Sequence, residues 1–216
     1  HPTILTPDQN HERQRVGWSS PPLISLFRSA ISSRARYTCV RQQSNSHPSG
    51  LPLAYHIVFN CYGTWLQGDP RGSVSMHINT FGKFRLASNA SRHATHEKRM
   101  TQPPYQLDEA RRQVVMQAII EVCIFRDWHL LAAHIRSTHV HVVVSAPCKP
   151  EKVMSDFKAY ASRALTRAGI ESSSRRRWAR HGSTKYLWSD VSVASAMDYV
   201  VREQGEPMEV YLREIV

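Results

Sequence analysis

The stretch His139-Val-His-Val-Val-Val-Ser-Ala146 constrains this chain more than any other. Its run of β-branched residues makes it a strand. Successive side chains of a strand point to opposite faces, so His139 and His141 share one face and Val140, Val142 and Val144 share the other. The valines need an apolar layer over them, and the flanking sequence supplies one. Leu53–Tyr62, rich in β-branched and aromatic residues, reads as an earlier strand. Asp108 caps a helix whose apolar positions Val114, Val115, Ala118, Ile119, Val122 and Cys123 recur at helical spacing. Trp128–Arg136 reads as a second strand, joined to the valine strand through a tight turn at Ser137-Thr138. Pro150-Glu151 opens a second helix that runs to about Ala168 and stops at Gly169. A basic loop over Arg175–His181, a fourth strand near Ser183–Trp188 and a last helix over about Val193–Glu203 follow.

The order is βαββαβ with a C-terminal helix. It predicts an α+β, ferredoxin-like fold: an antiparallel sheet with helices packed on one face and the other face free to hold a site. The Gly- and Asp-marked segment Gly63–Ser73 reads as a loop, and about Val74–Pro104 as a long connection, because neither carries a period. The domain begins near residue 51. Before it, residues 1–50 are rich in Ser, Pro, Arg and Gln and carry six Arg against Asp8 and Glu12. That composition predicts a disordered basic N-terminal extension, or an arm that touches phosphates.

Charge narrows the partners. Lys and Arg number 28 against 17 Asp and Glu, a formal +11 with His neutral, which favours a polyanion. No run of 18 apolar residues exists to span a bilayer. The cysteines Cys39, Cys61, Cys123 and Cys148 form no CxxC pair, so a zinc ribbon or disulfide framework is not expected. The expectation is a soluble, cytoplasmic, basic globular protein with no membrane partner.

Two side-by-side imidazoles suit a divalent metal, though two solvated surface histidines would carry the same spacing. On the second helix, Val153, Phe157, Tyr160 and Ala164 form one stripe, and Tyr160 is flanked by Lys158 and Arg163. A phenol is a poor nucleophile near neutral pH unless a cation or a metal-polarised substrate assists it. Tyr186, Tyr199 and Tyr211 are rival nucleophiles.

The His139-Val140-His141 pair followed by a helical Tyr160 resembles the single-tyrosine HUH transposases of the insertion-sequence 200/605 type, in particular the REP-associated tyrosine transposase branch. Tyr62-Gly-Thr-Trp65, Gly68-Asp-Pro-Arg-Gly-Ser-Val74, Lys158-Ala-Tyr-Ala161 and Trp178–Trp188 look like further blocks of it, so the likeness covers about residues 51–208. The resemblance implies metal-dependent cleavage and strand transfer on single-stranded DNA with hairpins, through a 5′-phosphotyrosine. On that reading Tyr160 is the nucleophile, His139 and His141 hold Mg²⁺ or Mn²⁺, and Lys158, Arg163 and Arg136 bind DNA. Trp65 and Trp178 could stack on unpaired bases, and a homodimer is possible. The family's third metal ligand (Gln, Asn or His) falls one helical turn after the tyrosine, where this chain has Ala164; Asp156, His134 and His181 are the candidate substitutes. The competing reading is a catalytically inactive or domesticated nucleic-acid-binding module of the same fold.

Overall fold

A computed structural model describes residues 50–72 and 87–214. Apart from its last residue, the basic extension expected over 1–50 lies outside the described residues. The elements are β1 (Ala54–Cys61), α1 (Ala90–Lys98), α2 (Glu109–Arg126), β2 (His129–Ile135), β3 (His139–Ser145), α3 (Pro150–Arg167), β4 (Trp178–Leu187), α4 (Asp190–Arg202) and β5 (Glu209–Leu212). The strands form one antiparallel sheet in the order β4-β1-β3-β2-β5, so the histidine strand is central. The first four strands and the helices α2 and α3 have the ferredoxin-like order expected from the sequence, and β5 extends the sheet beside β2. No helix among the described residues is long and apolar enough to cross a membrane.

The local reasons are those legible in the sequence. Asp108 caps α2 by accepting from the Arg111 N–H. Pro150 opens α3, and Gly169, at φ 68°, lies just past its end. The helices α2 and α3 cover one face of the sheet: Val115, Ile119 and Val122 from α2, and Val153, Phe157, Ala161 and Leu165 from α3, meet Val140, Val142, Val144, Ile57 and Phe59 in one buried cluster. Fully burying side chains of this size contributes roughly 1.5–3 kcal/mol each. Gly182 of β4 allows a close approach, since a Cβ there would meet the Val58 carbonyl and stand 2.7 Å from Met154 Sδ.

The structure differs from the expectation in four places. The connection read as one long loop contains α1, capped by Asn89, which accepts from the Arg92 N–H; the helix buries no residue, so no apolar period announced it. Strand β4 starts at Trp178, inside the stretch read as a basic loop. Cys61 pairs with Trp178 across a register shift that absorbs the polar residues before Gly182. The four-residue β5 is too short for period-two alternation to be read. Most consequential for the site, the sheet's second face is not free. There α4 lays Ala196 and Val200 on Ala54, Ala132, Val143 and Leu187 in a second buried cluster. This helix opens with a capping box in which Ser189 Oγ accepts from the Ser192 N–H and Ser192 Oγ accepts from the Ser189 N–H.

Candidate functional site

The histidines of β3 occupy the face that α4 partly covers. Register sets Asn60 opposite His139 and Val58 opposite His141 on β1, and His134 opposite His141 on β2. Because side chains alternate, His56, two residues before Val58, lies diagonally next to His141. Its Nε2 is 3.2 Å from His141 Nδ1, and the rings stack at 5.5 Å. The His139 and His141 rings stand 4.9 Å apart, nearly perpendicular, and His139 Nδ1 is 3.0 Å from Thr138 Oγ1. Thr64 ties the end of β1 to this corner by donating from its hydroxyl to the Cys61 and Thr138 carbonyls.

Tyr199 of α4 stands edge-on to both neighbouring histidines, 6.0 Å from the His141 ring and 5.8 Å from that of His56, and remains 40 % exposed. It is the tyrosine that the fold brings to the histidine pair. Tyr160 is not. Its helix packs on the Val140/Val142/Val144 side, and its ring lies 6.3 Å from Phe125 of α2 with the Arg163 guanidinium 4.4 Å over it. The sheet therefore separates Tyr160 from His139 and His141. Helical spacing placed Tyr160 on α3 correctly, but the face that α3 covers is the opposite one.

The other expected residues divide the same way. Lys158 is turned into the fold: its Nζ donates to the Ala179 and His181 carbonyls at 2.9 and 3.2 Å, and burial pulls the ammonium pKa down to about 8. Arg163 is exposed beside Tyr160. Arg136 does lie at the histidine corner, where its backbone N–H donates to the His139 carbonyl and its guanidinium holds the Glu206 carbonyl. Among the substitutes for a third ligand, Asp156 is paired with Lys152 and Arg126 on the α3 side. His134 is wholly buried with both ring nitrogens engaged: Nδ1 donates to the Val200 carbonyl at 2.9 Å, and Nε2 accepts from the Met208 N–H at 3.2 Å. His181 is exposed on β4. The aromatics named for base stacking are both engaged: Trp65 Nε1 donates to the Gly72 carbonyl, and Trp178 Nε1 to the Lys158 carbonyl and Ser162 Oγ.

Electrostatically the face is a set of neutral imidazoles near cations. Burial lowers the pKa of His139 to about 4, helped by Arg136, His134 and Arg71. Burial lowers that of His56 to about 4, helped by Lys185, and that of His141 to about 2, helped by His139 and His56. Neutral imidazoles are the form that ligates metal. With Nδ1 of His139 and of His141 each beside a polar partner, Nε2 of both rings makes no hydrogen bond among the described residues. The pair therefore fits two positions of a divalent ion's shell. No cluster of three or more His, Cys, Asp or Glu side chains arranged for a metal occurs among the described residues.

Sequence reasoning missed His56, and it ranked Tyr199 behind Tyr160. A signal for Tyr199 was present. Glu203 follows it by one helical turn and ends α4, with Gln204 next, whereas the same step from Tyr160 reaches Ala164.

No curated protein matches the chain. A solved structure described as a REP-associated tyrosine transposase bound to a REP hairpin is similar at 12 % identity and a TM-score of 0.42, covering 80 % of this chain and 72 % of that one. The model of the family described as Transposase IS200 like matches residues 101–202, which contain both the histidine strand and the Tyr199 helix. Over that span, a little under half of its length, the chain is similar to the IS200-like transposase family.

Proposed function

We propose that the chain cleaves and rejoins single-stranded DNA with Tyr199 as nucleophile and His139 and His141 as the residues that hold a divalent ion, Mg²⁺ or Mn²⁺. The observation that carries the reading is the Tyr199 ring standing edge-on to His141 and His56, on a sheet face where burial keeps His56, His139 and His141 neutral at pH 7. The similarity of residues 101–202 to the IS200-like transposase family supports the transposase class, and the +11 charge supports a phosphate backbone as partner. A divalent ion bound there supplies Lewis-acid polarisation of the scissile phosphate. Glu203 follows Tyr199 by one helical turn, but it forms no three-residue metal cluster with the two histidines among the described residues.

In the reaction the Tyr199 phenol loses its proton and its oxygen bonds to phosphorus, as the bond from phosphorus to the 3′ oxygen breaks. That oxygen leaves as a 3′-hydroxyl, and the 5′ phosphate stays on the tyrosine. A later 3′-hydroxyl reverses the exchange, so the strands are rejoined without ATP because the phosphodiester energy is stored in the covalent link. Arg136 and Arg71 place positive charge beside His139, where a phosphate oxyanion gains from it. Hairpin-bearing single strands are the proposed DNA partner.

The test incubates the full chain with labelled single-stranded hairpin oligonucleotides, with Mn²⁺ added or withheld, and resolves the products on a denaturing gel. A metal-dependent covalent adduct is expected from the wild type and from Tyr160→Phe, and none from Tyr199→Phe. An adduct that survives Tyr199→Phe, or that vanishes in Tyr160→Phe, overturns the assignment. The second reading, a binding module without cleavage, is favoured by the lack of a three-ligand cluster among the described residues. It predicts shifted DNA from all three proteins and no adduct from any.

A further inference from the structure

His56 has no part in the roles given above to the histidine pair, yet it makes the most specific contact in the site. Its Nε2 is 3.2 Å from Nδ1 of His141, and the two rings stack with 24° between their planes. Its other flank is closed by Tyr199 at 5.8 Å, and its backbone is fixed by pairing with Val143 in the middle of the sheet. The ring therefore has little freedom to swing away from His141.

A neutral imidazole carries one hydrogen on its two nitrogens, so a bond between two such rings runs in one sense only. If Nε2 of His141 offers its lone pair to a metal, the hydrogen of His141 has to reside on Nδ1. That N–H then donates to Nε2 of His56, whose own hydrogen sits on its Nδ1. Outer partners of this kind orient a ligating imidazole and raise its basicity.

We infer that His56 is a positioning residue, which fixes the proton of His141 on Nδ1 and holds its ring plane so that Nε2 is left as the ligating atom. The inference rests on the reading of His139 and His141 as the metal-holding pair. The His56 ring touches both His141 and Tyr199, which also meet each other directly.

Two variants of the full chain separate the effects. His56→Phe keeps an aromatic ring for stacking and removes the acceptor; His56→Gln returns an amide oxygen near the position of Nε2. Ring ¹⁵N and ¹³C NMR shifts at pH 7 without metal report where His141 carries its proton, and titration with Mn²⁺ alone reports affinity. We expect the Nδ1–H form of His141 in the wild type and in His56→Gln, and a shift toward the Nε2–H form in His56→Phe. Mn²⁺ affinity should fall by about 10–100-fold in the Phe variant and recover in the Gln variant. An unchanged tautomer and unchanged Mn²⁺ affinity in His56→Phe overturn the inference, and so does a wild-type His141 protonated on Nε2. The wild-type tautomer decides even if the Phe variant does not fold. Should the wild type bind no Mn²⁺, the metal reading falls, and the metal-free spectra still decide whether His56 holds the proton of His141.

Discussion

Replacing His134 by Leu isolates what holds the Tyr199 helix to the sheet. The change keeps a side chain of similar bulk in a wholly buried position but removes both of its hydrogen bonds. Val200, the residue after Tyr199, is in the last turn of α4, where helix carbonyls lack an intrahelical partner, and His134 Nδ1 caps its carbonyl. Leaving a buried acceptor unpaired costs about 1–3 kcal/mol. The lost bond from the Met208 N–H adds about 0.5–1 kcal/mol, at the low end because that segment is open enough for water to replace it. A net loss of about 2–3 kcal/mol follows, equivalent to a melting temperature lower by roughly 5–10 °C for a unit of this size. The loss should be local first. Hydrogen exchange should speed up in α4 and β5 before α2 and α3, and formation of the covalent DNA adduct should slow, because the tyrosine is less firmly held. Thermal melts followed by circular dichroism, with amide exchange by mass spectrometry, measure both effects. A melting temperature within about a degree of wild type, with α4 amides equally protected, would refute the reasoning.

The remaining expectations concern acid and salt. His56, His139, His141 and His134 all have folded pKa values below the ordinary 6.5, chiefly through burial, so below about pH 6.5 the unfolded chain binds protons that the folded chain refuses. Their contribution to stability is complete above that pH and is lost as pH falls toward about 4, at up to about 1.4 kcal/mol per pH unit for each histidine that stays neutral. A melting temperature that does not change between pH 7 and pH 5 contradicts this. For DNA binding, Arg136→Gln should lower the slope of log affinity against log salt by about one, the signature of a lost phosphate contact. Lys158→Met should leave that slope unchanged and cost about 1–2 kcal/mol of stability, because its ammonium is spent on two β4 carbonyls. A Lys158 variant with a reduced salt slope would return that residue to the DNA-binding surface.

Much of the framework was legible because it is local. The alternation in β3, the Asp108 cap and the Pro150–Gly169 limits of α3 are properties of short segments, and together they imply the order of the ferredoxin-like core. What escaped depends on contacts between distant segments. Helix α1 buries nothing, so its sequence has no apolar stripe to read. The faces of α3 and α4 were indistinguishable in sequence, since each carries a tyrosine on a partly apolar helix. Only the path of the chain across the sheet decides which tyrosine meets the histidines, and it chooses Tyr199. The basic run at Arg175–Arg177 shows the same limit. Arg175 donates to Gln102 Oε1 and to the Pro103 and Pro104 carbonyls, and Arg177 is buried against Thr166 and Ser172, so Arg175 fastens the chain entering α2 and Arg177 the chain leaving α3. Charge composition cannot distinguish that use from a phosphate contact.

Strand β4 ends the sheet on one side, and a terminal strand carries backbone acceptors that another molecule's strand could pair with. At its irregular start, where the register with β1 slips, the Ala179 and His181 carbonyls are already taken by the ammonium of Lys158 reaching over from α3. A side chain read from sequence as a contact for nucleic acid thus ties α3 to the first residues of the edge strand.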